Sequence, residues 1–209
     1  MKQIAALFFF VAGLIGFADQ YTDELADACY MGDIELVRDL IGRGADINAT
    51  DSSGKTPLAN AAMAGYRDIY ELLIEKGANY NFFDCSAAGD VLRVNRLIAD
   101  GTDVNATNKF GSTALMLASR DSGVDVMEIL LNNGSNIDFQ NSRGRTALMI
   151  AAKNGQRKAV ELLLDHNADV HIKDQDDKTA LKWAQWHEVV DRVVAKEIED
   201  ALTKAGAKQ

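Results

Sequence analysis

The sequence predicts an all-α fold, a solenoid of about six helix-turn-helix repeats, on the basis of three observations. Residues 144–173 and 54–82 carry small, apolar and glycine residues at matching positions. A closing signature of the Gly-Ala-Asp type recurs at steps of 33, 24, 33 and 33 residues, beginning at Gly44, Gly77, Gly101, Gly134 and Asn167. Each unit also contains two short amphipathic patterns separated by a turn, and such helices bury their apolar sides only by stacking on neighbours.

Particular residues recur at fixed positions of these units. One unit carries Thr56-Pro57-Leu58, Ala61-Ala62, Gly65, Leu72-Leu73 and Gly77-Ala78-Asn79, and two others open with Thr113-Ala114-Leu115 and Thr146-Ala147-Leu148. The pattern resembles the ankyrin repeat, and the resemblance extends from about Asp23 to the C-terminus. It implies helix pairs joined by short β-hairpin fingers.

One position departs from the family pattern. The family usually has His after Thr-Pro-Leu, whereas this chain has Ala59, Met116, Met149 and Lys182 there. We therefore expect the hydrogen bond that this His makes between repeats to be absent, without a change of fold.

The first 18 residues have the layout of a secretory signal peptide. Lys2 precedes an uncharged, mostly apolar run, and Gly16 and Ala18 supply small residues for cleavage. The run is shorter than the ~20 residues that span a bilayer. The alternatives are an uncleaved anchor and a core helix. We expect an exported protein, periplasmic or secreted, whose mature chain has no membrane span.

Residues 19–209 then form one repeat domain, with repeats at about 21–53, 54–79, 80–110, 111–143, 144–176 and 177–209. Fingers are expected at 51–55, 108–112, 141–145 and 174–178. The first repeat lacks the Thr-Pro-Leu opening, and the last has a long, charged second pattern, Val189 to Lys204. Both are typical of the atypical end repeats that cap such arrays.

The 24-residue step indicates that one finger is deleted between the second and third repeats. Both flanking helical patterns survive, and Phe82 falls in the position of the repeat's Leu. We expect the third repeat to keep both helices. Two interpretations remain: Tyr80, Phe82 and Phe83 fill the gap, or they form an exposed aromatic notch that receives a partner side chain.

The sequence contains no recognisable catalytic, cofactor or metal motif. Cys29 and Cys85 lie two repeats apart, roughly 20 Å for stacked helices, whereas a disulfide requires Cα atoms within about 7 Å. We expect two buried thiols, with a Cys29–Cys85 bridge as the alternative. The histidines, His166, His171 and His187, lack metal-ligand spacing. No cofactor and no metal is predicted.

The resemblance implies a non-enzymatic scaffold that binds another protein. The alternatives are a structural spacer, an inhibitor or immunity-type binder of a secreted toxin or enzyme, and an enzyme or ligand carrier. The net charge of −9 argues against general nucleic-acid binding, which requires a basic surface. We expect a monomer.

The resemblance also places partner contacts on the finger tips and on the two positions after each alanine pair. The residues that we predict to bind protein are Tyr30, Met31, Lys55, Met63, Lys109, Phe110, Arg120, Arg143, Arg145, Lys153, Asn154, Trp186 and His187. This set is rich in aromatic, Met and Arg residues, as interface cores are. It is also net basic, which predicts an acidic surface patch on the partner, docked against repeats three to six. The alternative is that these are ordinary solvated charges and that Trp186 and Trp183 cap the core.

Overall fold

A computed structural model describes residues 21–121, 123–187 and 192–208. The expected signal peptide lies outside these residues. The chain divides between Tyr80 and Asn81 into two compact units. No helix in the described part of the chain is long and apolar enough to cross a membrane.

The first unit contains two helix pairs. Its helices are α1 (Thr22–Met31), α2 (Ile34–Gly42), α3 (Pro57–Ala64) and α4 (Arg67–Glu75). The first helices, α1 and α3, pack against each other, and α2 packs against α4. Leu25, Leu40, Leu58 and Leu73 are fully buried between them. The two layers therefore share one apolar core, as stacked repeats require.

The second unit contains four helix pairs. Its helices are α5 (Phe82–Ala87), α6 (Val91–Ala99), α7 (Ala114–Ala118), α8 (Val124–Asn132), α9 (Ala147–Lys153), α10 (Arg157–Asp165), α11 (Ala180–His187) and α12 (Arg192–Lys204). The first helices, α5, α7, α9 and α11, pack in sequence against one another. The second helices, α6, α8, α10 and α12, do the same. One apolar core runs from Phe82 to Ala207. The predicted all-α stack of repeats is confirmed.

Threonine caps the first helix of the second, fourth and fifth repeats. The side chains of Thr56, Thr113 and Thr146 accept hydrogen bonds from backbone N–H groups three residues later, at 3.1, 3.4 and 3.3 Å. Such caps satisfy donors that the helix itself leaves unpaired. Met116 and Met149, which replace the family's His, are each 1% exposed. These two buried methionines therefore pack at the position where the family has a polar side chain.

The four fingers lie where the sequence predicts them, as tight turns with little β-structure. In each, a backbone N–H donates to the carbonyl four residues later, at 51–55, 108–112, 141–145 and 174–178. Among the described residues, one antiparallel bridge, between Thr107 and Thr113, extends a finger further. The predicted hairpins are therefore shorter than the family resemblance implies.

The deleted finger is confirmed. Helix α5 begins at Phe82, three residues after Asn79, and α6 follows as Val91–Ala99, so the third repeat keeps both helices. The Asn81 side chain caps α5, accepting from the N–H groups of Phe83 (2.9 Å) and Asp84 (3.0 Å). Phe82 is 5% exposed and belongs to the core of the second unit. Its side chain is therefore not a wall of an exposed notch.

The last described helix has the character of an end cap. Ala195, Ile198 and Leu202 are buried, and most of the exposed side chains of α12 are charged, although Val193 is also exposed. Residues 189–191 of the predicted pattern lie outside the described residues. After α12, the N–H of Ala207 donates to the carbonyl of Leu202 (3.0 Å) and closes the helix.

Both cysteines are buried thiols, as predicted, and no disulfide joins them. Burial raises the pKa of Cys29 to about 12. Because the thiolate is the reactive form, this side chain is inert near neutral pH.

Candidate protein-binding surface

Each finger is built around the carboxylate or amide of its first residue. In the fourth repeat's finger, Asn141 Oδ1 accepts from the N–H groups of Arg143 (2.9 Å) and Arg145 (3.1 Å). Asp51, Asn108 and Asp174 make the equivalent pairs of bonds in the other fingers. Asp and Asn favour turns because their side chains can bond to backbone groups in this way. The bonds fix the third and fifth residues of each finger, which include Arg143 and Arg145.

A finger that begins with Asp has a second carboxylate oxygen, and a donor nine residues later satisfies it. Asp51 Oδ2 accepts from the Asn60 side chain, and Asp174 Oδ2 accepts from the indole N–H of Trp183, each at 2.9 Å. In the two fingers that begin with Asn, the position nine residues later is Leu117 or Ile150. The finger residue and the first-helix residue behind it therefore match in chemistry, and this match fixes the orientation of Trp183.

The fingers of the second unit are hydrogen-bonded to one another. Ser142 Oγ donates to the carbonyl of Phe110 (2.8 Å). The Gln175 side chain donates to the carbonyl of Ser142 (3.0 Å), and its backbone N–H donates to that of Arg143 (3.1 Å). Three consecutive fingers form a connected row, so their tips are held in place before any partner arrives.

Three cations surround the indole ring of Trp183. The Arg145 guanidinium carbon lies 4.4 Å from the ring centroid, and the ammonium nitrogens of Lys178 and Lys153 lie at 4.6 and 5.0 Å. Cations within about 6 Å of an indole face are attracted by its quadrupole. Trp183 itself is 4% exposed. Its buried ring is therefore the common contact of cations from two fingers and from the end of α9.

The mutual repulsion of these cations appears in the pKa of Lys153. Partial burial lowers this pKa, and the positive charges of Arg145, Arg120, Arg143 and Lys178 lower it further. Four residues predicted to bind protein, Arg120, Arg143, Arg145 and Lys153, therefore lie in one electrostatic environment. We call these four residues together with Lys178 the basic cluster.

Two acidic residues accompany the basic cluster. The Asp174 side chain is 1% exposed, and its Oδ2 lies 3.6 Å from Arg145 Nε. Burial would raise its pKa, but hydrogen bonds from Lys178, Trp183 and Asp176 and the charge of Arg145 lower it, so it is ionised at neutral pH. Asp121 Oδ2 lies 3.9 Å from Arg120 Nε. Burial raises its pKa, and the charge of Arg120 partly offsets this effect.

Sequence reasoning missed Lys178 and Trp183 as members of the site. The signal for Lys178 was present, because it lies 33 residues after Arg145 and thus has the same finger position. Trp183 gave no such signal. Its position in the repeat faces the core, and only the folded chain shows that cations cover its ring.

The other predicted residues of the second unit divide into exposed and structural positions. Phe110 is 50% exposed at a finger tip, with the Lys109 ammonium 5.1 Å from its ring. Asn154 instead uses its side-chain amide to donate to the carbonyl of Ile150 (2.8 Å), at the end of α9. The side chains of Trp186 and His187 lie outside the described residues.

The predicted residues of the first unit are of a different chemical kind. Tyr30 and Met31 are 49% and 72% exposed at the end of α1, and Met63 is half-buried at the end of α3. Lys55 is half-buried in the first finger. These residues are mainly apolar, whereas those of the second unit are mainly basic.

Comparison with known proteins identifies the repeats. A family model described as ankyrin repeats (3 copies) matches residues 82–174 and 123–200, and one described as ankyrin repeats (many copies) matches residues 25–81. The chain is 30% identical over 103 residues to ankyrin repeat domain-containing protein SAT10 of Stachybotrys chartarum, which covers 47% of this chain and 5% of that protein.

A second group of relatives comes from primates. The chain is 29% identical over 122 residues to ankyrin repeat, SAM and basic leucine zipper domain-containing protein 1 of Pongo abelii and of Nomascus leucogenys. These matches cover 52% of this chain and 26% of each relative, so the likeness concerns the repeats alone. The family models together extend over most of the described residues, and the chain belongs to the ankyrin repeat family.

Proposed function

We propose that this chain is a scaffold that holds a partner protein against the fingers and first helices of its second unit. Ankyrin repeats indicate a protein–protein interaction scaffold, and their families are generally non-enzymatic. The observation that supports the location is the convergence of the basic cluster on a chain whose net charge is −9. The partner surface that fits it is acidic.

The connected fingers support this proposal on energetic grounds. Hydrogen bonds between successive fingers fix the positions of Phe110 and Arg143 before binding. A surface that is ordered in advance loses less conformational entropy when it binds. Complementary charge mainly accelerates encounter and fixes orientation, while Phe110 supplies apolar contact area.

Charge reversal tests the location. The variant R120E/R143E/K153E removes three cations from the proposed surface. The matched control R96E/K158E/K196E makes the same change in net charge on the layer of second helices, at three exposed positions. With the partner recovered by affinity purification on the wild-type chain, we expect association to slow about tenfold or more in the first variant only, with a weaker dependence on salt.

The same experiment can contradict the proposal. Equal association rates for the first variant and the wild type would exclude this surface. Equal slowing in both variants would show that only the total charge of the chain matters. Thermal unfolding of both variants serves as the check on folding.

We also propose that the protein acts in the periplasm or outside the cell. The support is the sequence of residues 1–18, with its apolar run and small residues before position 19. N-terminal sequencing of the protein from its producing cells should begin at Asp19. A product that retains Met1 and stays in the cytoplasm would contradict export.

A further inference from the structure

The cations of the basic cluster come from three successive repeats. Arg120 follows α7, Arg143 and Arg145 belong to the next finger, Lys153 ends α9, and Lys178 belongs to the finger after that. Helices packed side by side lie 8–10 Å apart, so three repeats extend over roughly 20 Å. The charged groups of Arg145, Lys153 and Lys178 lie within 5.0 Å of the Trp183 ring centroid, whereas Arg120 and Arg143 come from the preceding repeat, so a ligand that contacts all five must reach beyond one repeat. An extended peptide rises about 3.3 Å per residue, so a segment of about six residues can do so.

The acidic groups of the site are already engaged. Asp174 Oδ1 accepts from the N–H groups of Asp176 and Lys178, each at 3.0 Å, and its Oδ2 accepts from Trp183. Arg145 Nε lies 3.6 Å from that Oδ2, and this buried nitrogen makes no hydrogen bond within the described residues. The five cations exceed the two carboxylates of Asp121 and Asp174. Additional negative charge would relieve the repulsion that lowers the pKa of Lys153.

The arrangement favours carboxylates of a peptide over the bases of a nucleic acid. Single-stranded nucleic acids bind to exposed aromatic rings on which bases stack. The Trp183 ring is 4% exposed, and three cations lie over it. It is therefore unavailable for stacking, whereas Arg143 and Lys153 are exposed and can reach outward to an anion. Guanidinium groups match the geometry of carboxylates, and they bind phosphates as well, so a nucleic-acid probe belongs in the test.

We propose that the basic cluster binds an acidic linear segment of the partner, a run of Asp or Glu residues in extended conformation across three repeats. This inference rests on the proposed function and names the chemistry of the partner. Arg143 and Lys153 contact the carboxylates directly, while Trp183 and Asp174 hold Arg145 and Lys178 in position. The electrostatic character of the contacts makes binding sensitive to salt.

Calorimetric titration of the full chain with synthetic peptides tests the inference. The probes are hexaglutamate, uncharged hexaglutamine and hexathymidylate. We expect hexaglutamate to bind at ~20 mM salt and to bind at least about tenfold more weakly at ~200 mM salt, because added ions screen exposed charges. Hexaglutamine should give no binding signal.

Matched variants locate the binding. R143Q/K153Q should weaken hexaglutamate binding about tenfold or more, whereas R96Q/K158Q, the same charge change on the second helices, should alter it by less than about twofold. Equal affinity in R143Q/K153Q and the wild type, or no binding of hexaglutamate at low salt, would overturn the inference. Tighter binding of hexathymidylate than of hexaglutamate would assign the cluster to nucleic acid instead.

The peptide titration and the partner-association experiment distinguish failure of this inference from failure of the proposed function. If hexaglutamate does not bind but R120E/R143E/K153E still slows association with the intact partner, the surface is correct and the linear acidic segment is wrong. If hexaglutamate binds as expected and the charge-reversed variant associates normally with the partner, the peptide site is real but the proposed scaffold surface is not.

Discussion

At the scale of single residues, the turns between paired helices depend on glycines in a left-handed conformation. Gly32 and Gly65 occupy the same position of the first and second repeats, with φ of 83° and 79°. Their surroundings differ. A Cβ on Gly32 would lie 2.4 Å from the Tyr66 ring, whereas a Cβ on Gly65 would meet nothing within 4 Å. Substitutions at these two glycines therefore distinguish the cost of backbone strain, which both share, from the cost of a steric clash, which only Gly32 has.

We expect Gly65→Ala to lower the free energy of unfolding by about 1 kcal/mol, the cost of placing a non-glycine residue at this φ. Gly32→Ala should cost about 1–3 kcal/mol more, because the Tyr66 ring must move as well. Urea unfolding measures both. In a Tyr66→Ala background the two costs should become equal. A persistent difference there would show that the ring is not the cause.

The carboxylates that organise the fingers predict a second contrast. Asp174→Asn places an amide N–H₂ opposite the indole N–H of Trp183, and neither group can accept a hydrogen bond. Asp51→Asn faces the Asn60 amide, which can rotate to present its oxygen. We expect Asp174→Asn to lower the free energy of unfolding by about 2 kcal/mol and Asp51→Asn by about 1 kcal/mol or less.

The effect of Asp174→Asn should depend on pH. Folding lowers the pKa of Asp174, because its hydrogen bonds and the Arg145 charge outweigh the effect of burial. Its contribution to stability is therefore complete above the unfolded pKa of about 4 and is lost as the pH falls through the lowered native pKa. Chemical unfolding from pH 7 down to pH 2 should show the wild type and the variant converging at the acidic end. A constant difference would contradict this assignment.

At the scale of elements, the sequence predicts structure best where a residue type has one common structural role, as Asp, Asn and Gly have in turns. The turn residues at 51–55, 108–112, 141–145 and 174–178 recur in register, so the fingers could be located before folding was considered. The extent of strand pairing in each finger could not be predicted in the same way, since it depends on hydrogen bonds beyond the turn. The 24-residue step located the deleted finger because two helical patterns remained on either side of it.

Helix α5, directly after the deletion, provides the prediction at this scale. It is only six residues long, and the Asn81 side chain accepts from two of its first N–H groups. We expect Asn81→Ala to lower the free energy of unfolding by about 1 kcal/mol, the usual value of such a cap. Asn81→Asp keeps the acceptor and should stay within about 0.5 kcal/mol of the wild type. Equal loss in both variants, measured by thermal unfolding, would argue against capping.

At the scale of the whole molecule, the repeat period predicted the fold and the position of much of the candidate surface. Period and register place Arg143 and Arg145 on one finger and Lys153 at the end of the first helix that follows it. They do not show that Arg145 and Lys153 share the ring of Trp183, because that contact joins side chains from different repeats. The first unit follows the same repeat pattern but presents Tyr30 and Met31 instead of cations, so one fold carries two kinds of surface.

We propose that a partner protein binds to the fingers and first helices of the second unit. Site-specific photo-cross-linking in the producing cells tests it most directly, with a photoreactive amino acid placed at Phe110, at Arg143 or, on the second helices, at Lys158 or Lys196. We expect a covalent adduct of one partner protein from positions 110 and 143 and none from positions 158 and 196. Adducts formed only from positions 158 and 196 would contradict it.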